Sequence, residues 1–145
     1  MIKLSDYIRK ENIVCSLGSD LRVSVNTLIT SMIKDREPEC SLNDFEDKFS
    51  DLITIDLKNG FLISHSRRND LKNIHVGLIT FEKKTYYKKM QVKAVFCILV
   101  PNNMNRAYLS ILAHISRLFS RPKAEEIFSC DNVDKIIDFV KEMEG

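Results

Sequence analysis

The chain has no tryptophan, only three prolines and four glycines in 145 residues, and no long apolar run. Its longest uninterrupted apolar stretch, Ala94 to Val100, is far short of the roughly 20 residues that a membrane-spanning helix needs, so no membrane insertion is expected. Low-complexity tracts, internal repeats and Gly/Ser/Pro linkers are also missing, which predicts a single domain over residues 1–145. Charge of one sign is lacking as well. Twenty-two basic against 20 acidic side chains leave a net charge of +2, too little for a field that gathers nucleic acid. The basic clusters Arg67-Arg68, Lys83-Lys84 and Lys88-Lys89 are short and read as solvated loops or strand ends.

The four cysteines, Cys15, Cys40, Cys97 and Cys130, form no C-x-x-C pair, which excludes the usual zinc and redox spacings. They read as reduced thiols, with Cys15 and Cys97 in apolar strand-like runs of the core. The N-terminus has no basic segment followed by an apolar stretch of signal length, so the expected compartment is the cytoplasm. No cofactor or metal is expected.

Apolar periodicity supplies the elements. Val25, Leu28, Ile29, Met32 and Ile33 predict an amphipathic helix over Leu21 to Ile33 with Asp20 as N-cap, and Leu42, Phe45 and Phe49 predict another behind Ser41. Leu52 to Leu57 reads as a strand, Asn59-Gly60 as a turn, and Phe61 to His65 as the next strand, ending at the histidine. Ile74 to Phe81 and Val92 to Val100 read as two more strands, the second buried on both faces. Helix then returns: Tyr108, Ile111, Leu112, Ile115, Leu118 and Phe119 form one stripe, Pro122 opens a short helix, and Asp131 caps a last one. The class is α/β, a mixed sheet of four or five strands enclosed by helices.

Only three histidines are present, and neither His75 nor His114 has a neighbouring ligand at metal spacing. Both read as structural residues, exposed or half-buried. His65 differs, because Ser66, Arg67, Arg68 and Asn69 follow it and set an imidazole beside cationic and hydroxyl donors. A neutral imidazole is a nucleophile toward phosphorus, and guanidinium forks and backbone N–H groups suit the oxygens of a phosphohistidine.

The stretch Asn59-Gly60-Phe61-Leu62-Ile63-Ser64-His65-Ser66-Arg67 resembles the N-G-[V/I]-A-[I/V]-P-H-[A/G]-[R/K] motif of fructose/mannitol-type enzyme IIA domains of the phosphotransferase system. Val100-Pro101-Asn102-Asn103 through Leu118 is similar to that family's V-P…A-H-L segment, and both chain ends resemble the family's. The opening Lys3-Leu4-Ser5-Asp6 makes the chain look most like the stand-alone nitrogen-regulatory members. The resemblance implies a mixed five-stranded sheet enclosed by helices, a phosphohistidine at His65, and support from Asn59, Arg67, Arg68 and Tyr108. It also implies an HPr-type phosphocarrier as donor, charged by enzyme I from phosphoenolpyruvate, while the protein acceptor or regulatory target stays open.

The chain departs from the family pattern at several positions. Ile55-Asp56-Leu57-Lys58 replaces T-G-I-G, Phe49 next to Lys48 stands where the family has an arginine, Ser64 replaces proline, and Tyr108 falls where the family has a second histidine. Two functions are therefore open: a working phosphocarrier with a regulatory role, or a degraded module that regulates by docking without phosphorylation.

Overall fold

The computed structural model describes residues 3–16, 20–40, 53–57, 60–128 and 133–144. In chain order the elements are β1 (Ile8–Ser16), α1 (Leu21–Ile33), β2 (Ile53–Leu57), β3 (Phe61–Arg68), β4 (His75–Tyr87), β5 (Met90–Pro101), α2 (Asn105–Phe119), α3 (Ala124–Phe128) and α4 (Val133–Glu144). A 3-10 turn, Leu4–Asp6, precedes β1. The expected second helix, Ser41 to Phe49, lies outside the described residues.

The five strands form one mixed sheet in the order β1-β4-β5-β3-β2. β1 runs parallel to β4 and β3 parallel to β5, whereas β4 and β5 are antiparallel, as are β2 and β3. Side chains alternate across each strand, which divides the core in two. Phe61 and Ile63 of β3 and Phe96, Ile98 and Val100 of β5 face α2, α3 and α4, while Leu62 of β3 and Val95, Cys97 and Leu99 of β5 face α1. β5 is covered on both faces, as its unbroken apolar run predicts.

Each helix follows from its stripe. α1 buries Leu21, Val25, Leu28, Ile29, Met32 and Ile33, and the Asp20 carboxylate accepts the Val23 N–H at its start. α2 buries Tyr108, Ile111, Ile115, Leu118 and Phe119. At the far end of α2 the Phe119 ring stacks on Phe61 at the start of β3, with centroids 4.1 Å apart. Gly60 opens β3 at φ +86°, where a Cβ would lie 2.4 Å from the Gln91 carbonyl oxygen, so this turn position needs glycine.

Several boundaries differ from the sequence reading. β3 does not stop at His65 but continues to Arg68, because residues 65–68 keep pairing with Ile98 to Pro101 of β5. β4 runs past Phe81 to Tyr87 and turns into β5 through Lys88 and Lys89, both at positive φ (48° and 67°). These lysines form an exposed two-residue hairpin turn between the two strand ends. Cys15 is half-buried instead of sealed in the core, Cys97 is fully buried, and Cys130 lies outside the described residues.

Candidate functional site

β3 and α2 build the site together. Phe61, Ile63, His65 and Arg67 project from one face of β3 by the two-residue alternation, and that face packs against α2. Phe61 and His65 are separated by about 13 Å of strand, and Tyr108 and Phe119 by about 16 Å of helix. The helix is therefore pinned across the strand at both ends, by Phe119 on Phe61 and by Tyr108 on His65.

The Tyr108 hydroxyl lies 2.6 Å from His65 Nδ1, a hydrogen bond in which either group can donate. The two rings meet edge to face, with centroids 5.5 Å apart. Burial lowers the basicity of His65 and the nearby Arg67 charge lowers it further, so the imidazole is held neutral at neutral pH. Burial likewise raises the Tyr108 pKa, opposed by Arg67, and keeps the phenol protonated. Two neutral groups thus share one hydrogen bond. When His65 donates Nδ1–H to the phenol oxygen, the lone pair sits on Nε2, which is the tautomer a nucleophile needs.

Arg67 is exposed, but it is not loose. Its guanidinium lies 5.3 Å from the centre of the Tyr108 ring, and its Nη1 donates to Asn105 Oδ1 at 2.5 Å. Asn105 is the first residue of α2, so the positive end of that helix faces the same corner. Sequence reading missed Asn105. The available signal was its place three residues before Tyr108, one turn away on the same helical face.

The other candidates lie elsewhere. Arg68 follows the pleat to the opposite face, where Nε and Nη2 form a fork on the Asp70 carboxylate at 2.7 and 2.5 Å. Ser64 is buried on that face opposite Cys97 in the parallel pairing and hydrogen-bonds its thiol, whose pKa burial pushes up to about 12. Its hydroxyl therefore belongs to the α1 side of the core. Asn59, Lys48 and Phe49 lie outside the described residues. His114 is tied to the far side of α2, with Nδ1 3.2 Å from Arg117 Nη2 and 4.0 Å from Glu144 Oε2. His75 is more deeply placed than its sequence context predicts: only 6% exposed, with Nε2 3.4 Å from Glu37 Oε2.

Among the described residues no group of three or more His, Cys, Asp or Glu side chains gathers to hold a metal ion. No helix among them is long and apolar enough to cross a membrane.

Residues 20–143 match the family model for EIIA 2 of the phosphoenolpyruvate-dependent sugar phosphotransferase system. The chain belongs to this enzyme IIA family. Solved structures place the enzyme IIA fold on nearly the whole chain. The nitrogen regulatory protein IIA-Ntr from Neisseria meningitidis is 16% identical, with a TM-score of 0.80 over 94% of this chain and 98% of its own. The mannitol-specific cryptic enzyme IIA CmtB from Escherichia coli is 14% identical, with a TM-score of 0.76 over 97% and 99%. A third neighbour comes from the complex of the mannitol enzyme IIA with phosphorylated enzyme IIB from Escherichia coli, 12% identical, TM-score 0.73 over 93% and 99%. At these identities the likeness speaks for the fold alone. No curated protein matches the chain by sequence. The family resemblance carried by the Asn59 to Arg67 and Val100 to Leu118 segments is borne out.

Proposed function

We propose that this enzyme IIA protein is a phosphocarrier whose His65 takes a phosphoryl group from the phosphohistidine of an HPr-type donor and passes it to, or displays it before, a partner protein in the cytoplasm. The observation that carries the reading is the hydrogen bond between the Tyr108 hydroxyl and His65 Nδ1. With His65 as the hydrogen-bond donor, it occupies the nitrogen nearer the backbone and leaves the lone pair on Nε2 for attack. The new bond joins phosphorus to Nε2 as the bond from phosphorus to the donor's ring nitrogen breaks, and the electron pair of that bond returns to the donor's ring. The proton on Nδ1 stays shared with the Tyr108 oxygen throughout. Positioning and charge carry most of such a transfer, so a neutral imidazole, one phenol and the Arg67 charge form a sufficient minimal set. The phenol takes the place that the resemblance gives to a second histidine.

The docking reading, regulation without phosphorylation, has one observation in its favour. Arg68 is committed to Asp70 on the far face, which takes a second guanidinium away from the phosphoryl position.

Incubation with phosphoenolpyruvate, enzyme I and the HPr-type carrier, followed by intact mass measurement, separates the two. One added, acid-labile phosphate that is absent in His65→Ala supports the carrier. An unchanged mass under conditions in which the HPr-type carrier is itself phosphorylated supports the docking module.

A further inference from the structure

A cavity of about 470 Å³ opens at the sheet end where β1 and β4 begin, and its wall includes Tyr7, Arg9, Asn12, Arg36, Asn73 and His75. Neither His65, Arg67 nor Tyr108 takes part in it. His75 on β4 lies two places from β3 in the sheet order, about 10 Å across the strands, and Arg9 on β1 one place further. The volume falls within the range of small-molecule sites.

Two guanidiniums, Arg9 and Arg36, and one carboxylate, Asp6, line the cavity, with the Glu11 carboxylate paired to Arg36 and the Glu37 carboxylate behind His75 just outside the lining. Glu11 Oε1 takes a bond from Arg36 Nη2 at 3.1 Å. That contact uses one of the guanidinium's five N–H donors. At the back lies His75, 94% buried, with a sealed Nε2 that finds no hydrogen-bond partner. Glu37 Oε2 stands 3.4 Å away, a long ionic contact, and the same carboxylate accepts the Lys72 N–H through Oε1 at 2.7 Å. Asn12, also buried, reaches Val76 O only at 3.4 Å. Asn12 keeps that bond, so His75 Nε2, sealed behind the wall, is the polar atom there without a hydrogen-bond partner among the described residues. Burial is the main cause that disfavours protonation of His75, Glu37 opposes it, and the charges of Arg36 and Arg9 add to it, which places these groups in one electrostatic neighbourhood.

We infer that this cavity is a second site, separate from the phosphoryl site, which binds a small anion bearing a carboxylate or phosphate group in the forks of Arg9 and Arg36. Guanidinium recognises both groups through the same paired N–H geometry. The inference does not depend on phosphorylation of His65.

The test follows the imidazole resonances of His75 by NMR while inorganic phosphate, or in a parallel series malonate, is added at constant ionic strength against chloride. A saturable His75 shift is expected in the parent chain and in His65→Ala. In the Arg9→Gln, Arg36→Gln double variant the affinity should fall roughly tenfold or more, since two charge-assisted contacts are lost. Both arginines are surface residues, and circular dichroism verifies that the variant stays folded. Saturation by phosphate alone, or by malonate alone, identifies which anion group the site takes. A linear drift with neither probe saturating, or an unchanged midpoint in the folded double variant, overturns the inference. So does loss of the response in His65→Ala, which would place the anion at the phosphoryl site.

Discussion

At the scale of single residues, a neutral histidine is held by a neutral phenol beside one guanidinium. Arg67→Ala removes a charged donor and Tyr108→Phe removes a neutral hydroxyl. The first should slow phosphorylation of His65 by roughly tenfold to a hundredfold and the second by about fivefold; stopped-flow or quench-flow transfer rates check the order, and the reverse order would make the phenol the dominant group. Asn105→Ala keeps the guanidinium but frees it from its anchor, so its effect should fall between the parent and Arg67→Ala. The pH dependence follows from direction alone. The His65 pKa lies below the usual 6.5, so the unfolded chain binds the proton more readily than the folded one. His75 behaves in the same way, with burial outweighing Glu37. Stability is therefore full above pH 6.5 and falls as pH drops from 6.5 toward the lowered folded values. Thermal midpoints between pH 7.5 and 5.5 should decline, and a rise over that window would contradict these assignments. In Arg67→Ala the His65 pKa should move up, as NMR titration reads directly, because the second cause of its depression is gone.

At the scale of elements, the sequence's legibility was uneven for physical reasons. α1, α2 and β5 were readable because their apolar periods are uninterrupted. β1 was read only as the strand-like run around Cys15, since Arg9, Lys10, Glu11 and Asn12 break the pattern before it; as an edge strand it exposes Arg9, Lys10 and Glu11, and charges are tolerated there. The β4–β5 hairpin was missed because its turn is Lys88-Lys89 instead of Asn-Gly, although both lysines take the left-handed conformation. That disagreement gives a prediction. Left-handed backbone costs an ordinary residue about 1–2 kcal/mol, so Lys88→Asn with Lys89→Gly should stabilise the protein by about 1–2 kcal/mol in urea unfolding. No gain would mean that the turn relaxes differently. Gly77 is the opposite case: a Cβ there would stand 2.8 Å from Met32 Sδ and 2.9 Å from Leu28 Cδ2, under α1. Gly77→Ala should destabilise by about 1–3 kcal/mol, while a neutral result would show that the α1 side of the core has room to shift.

At the scale of the whole molecule, a sheet with both faces covered carries the candidate site at one corner, where β3 and the first turn of α2 meet. His65 and Arg67 were legible as a pair through the motif resemblance, and their common face came only with the continuation of β3 to Arg68. Arg68 was misplaced, because its odd three-residue offset from His65 along the strand turns it to the other face, onto Asp70. The contact between Tyr108 and His65, 43 residues apart in the chain, was legible only through family resemblance, because no local pattern encodes a helix-to-strand contact at that separation. That contact is also where the account is most exposed. After phosphorylation by the HPr-type carrier, long-range proton–nitrogen correlation spectra of the ring identify which nitrogen of which histidine bears phosphorus. The account predicts phosphorus on Nε2 of His65, with Nδ1 still protonated against the Tyr108 oxygen. Phosphorus on Nδ1 of His65, or on His75 or His114, would contradict it.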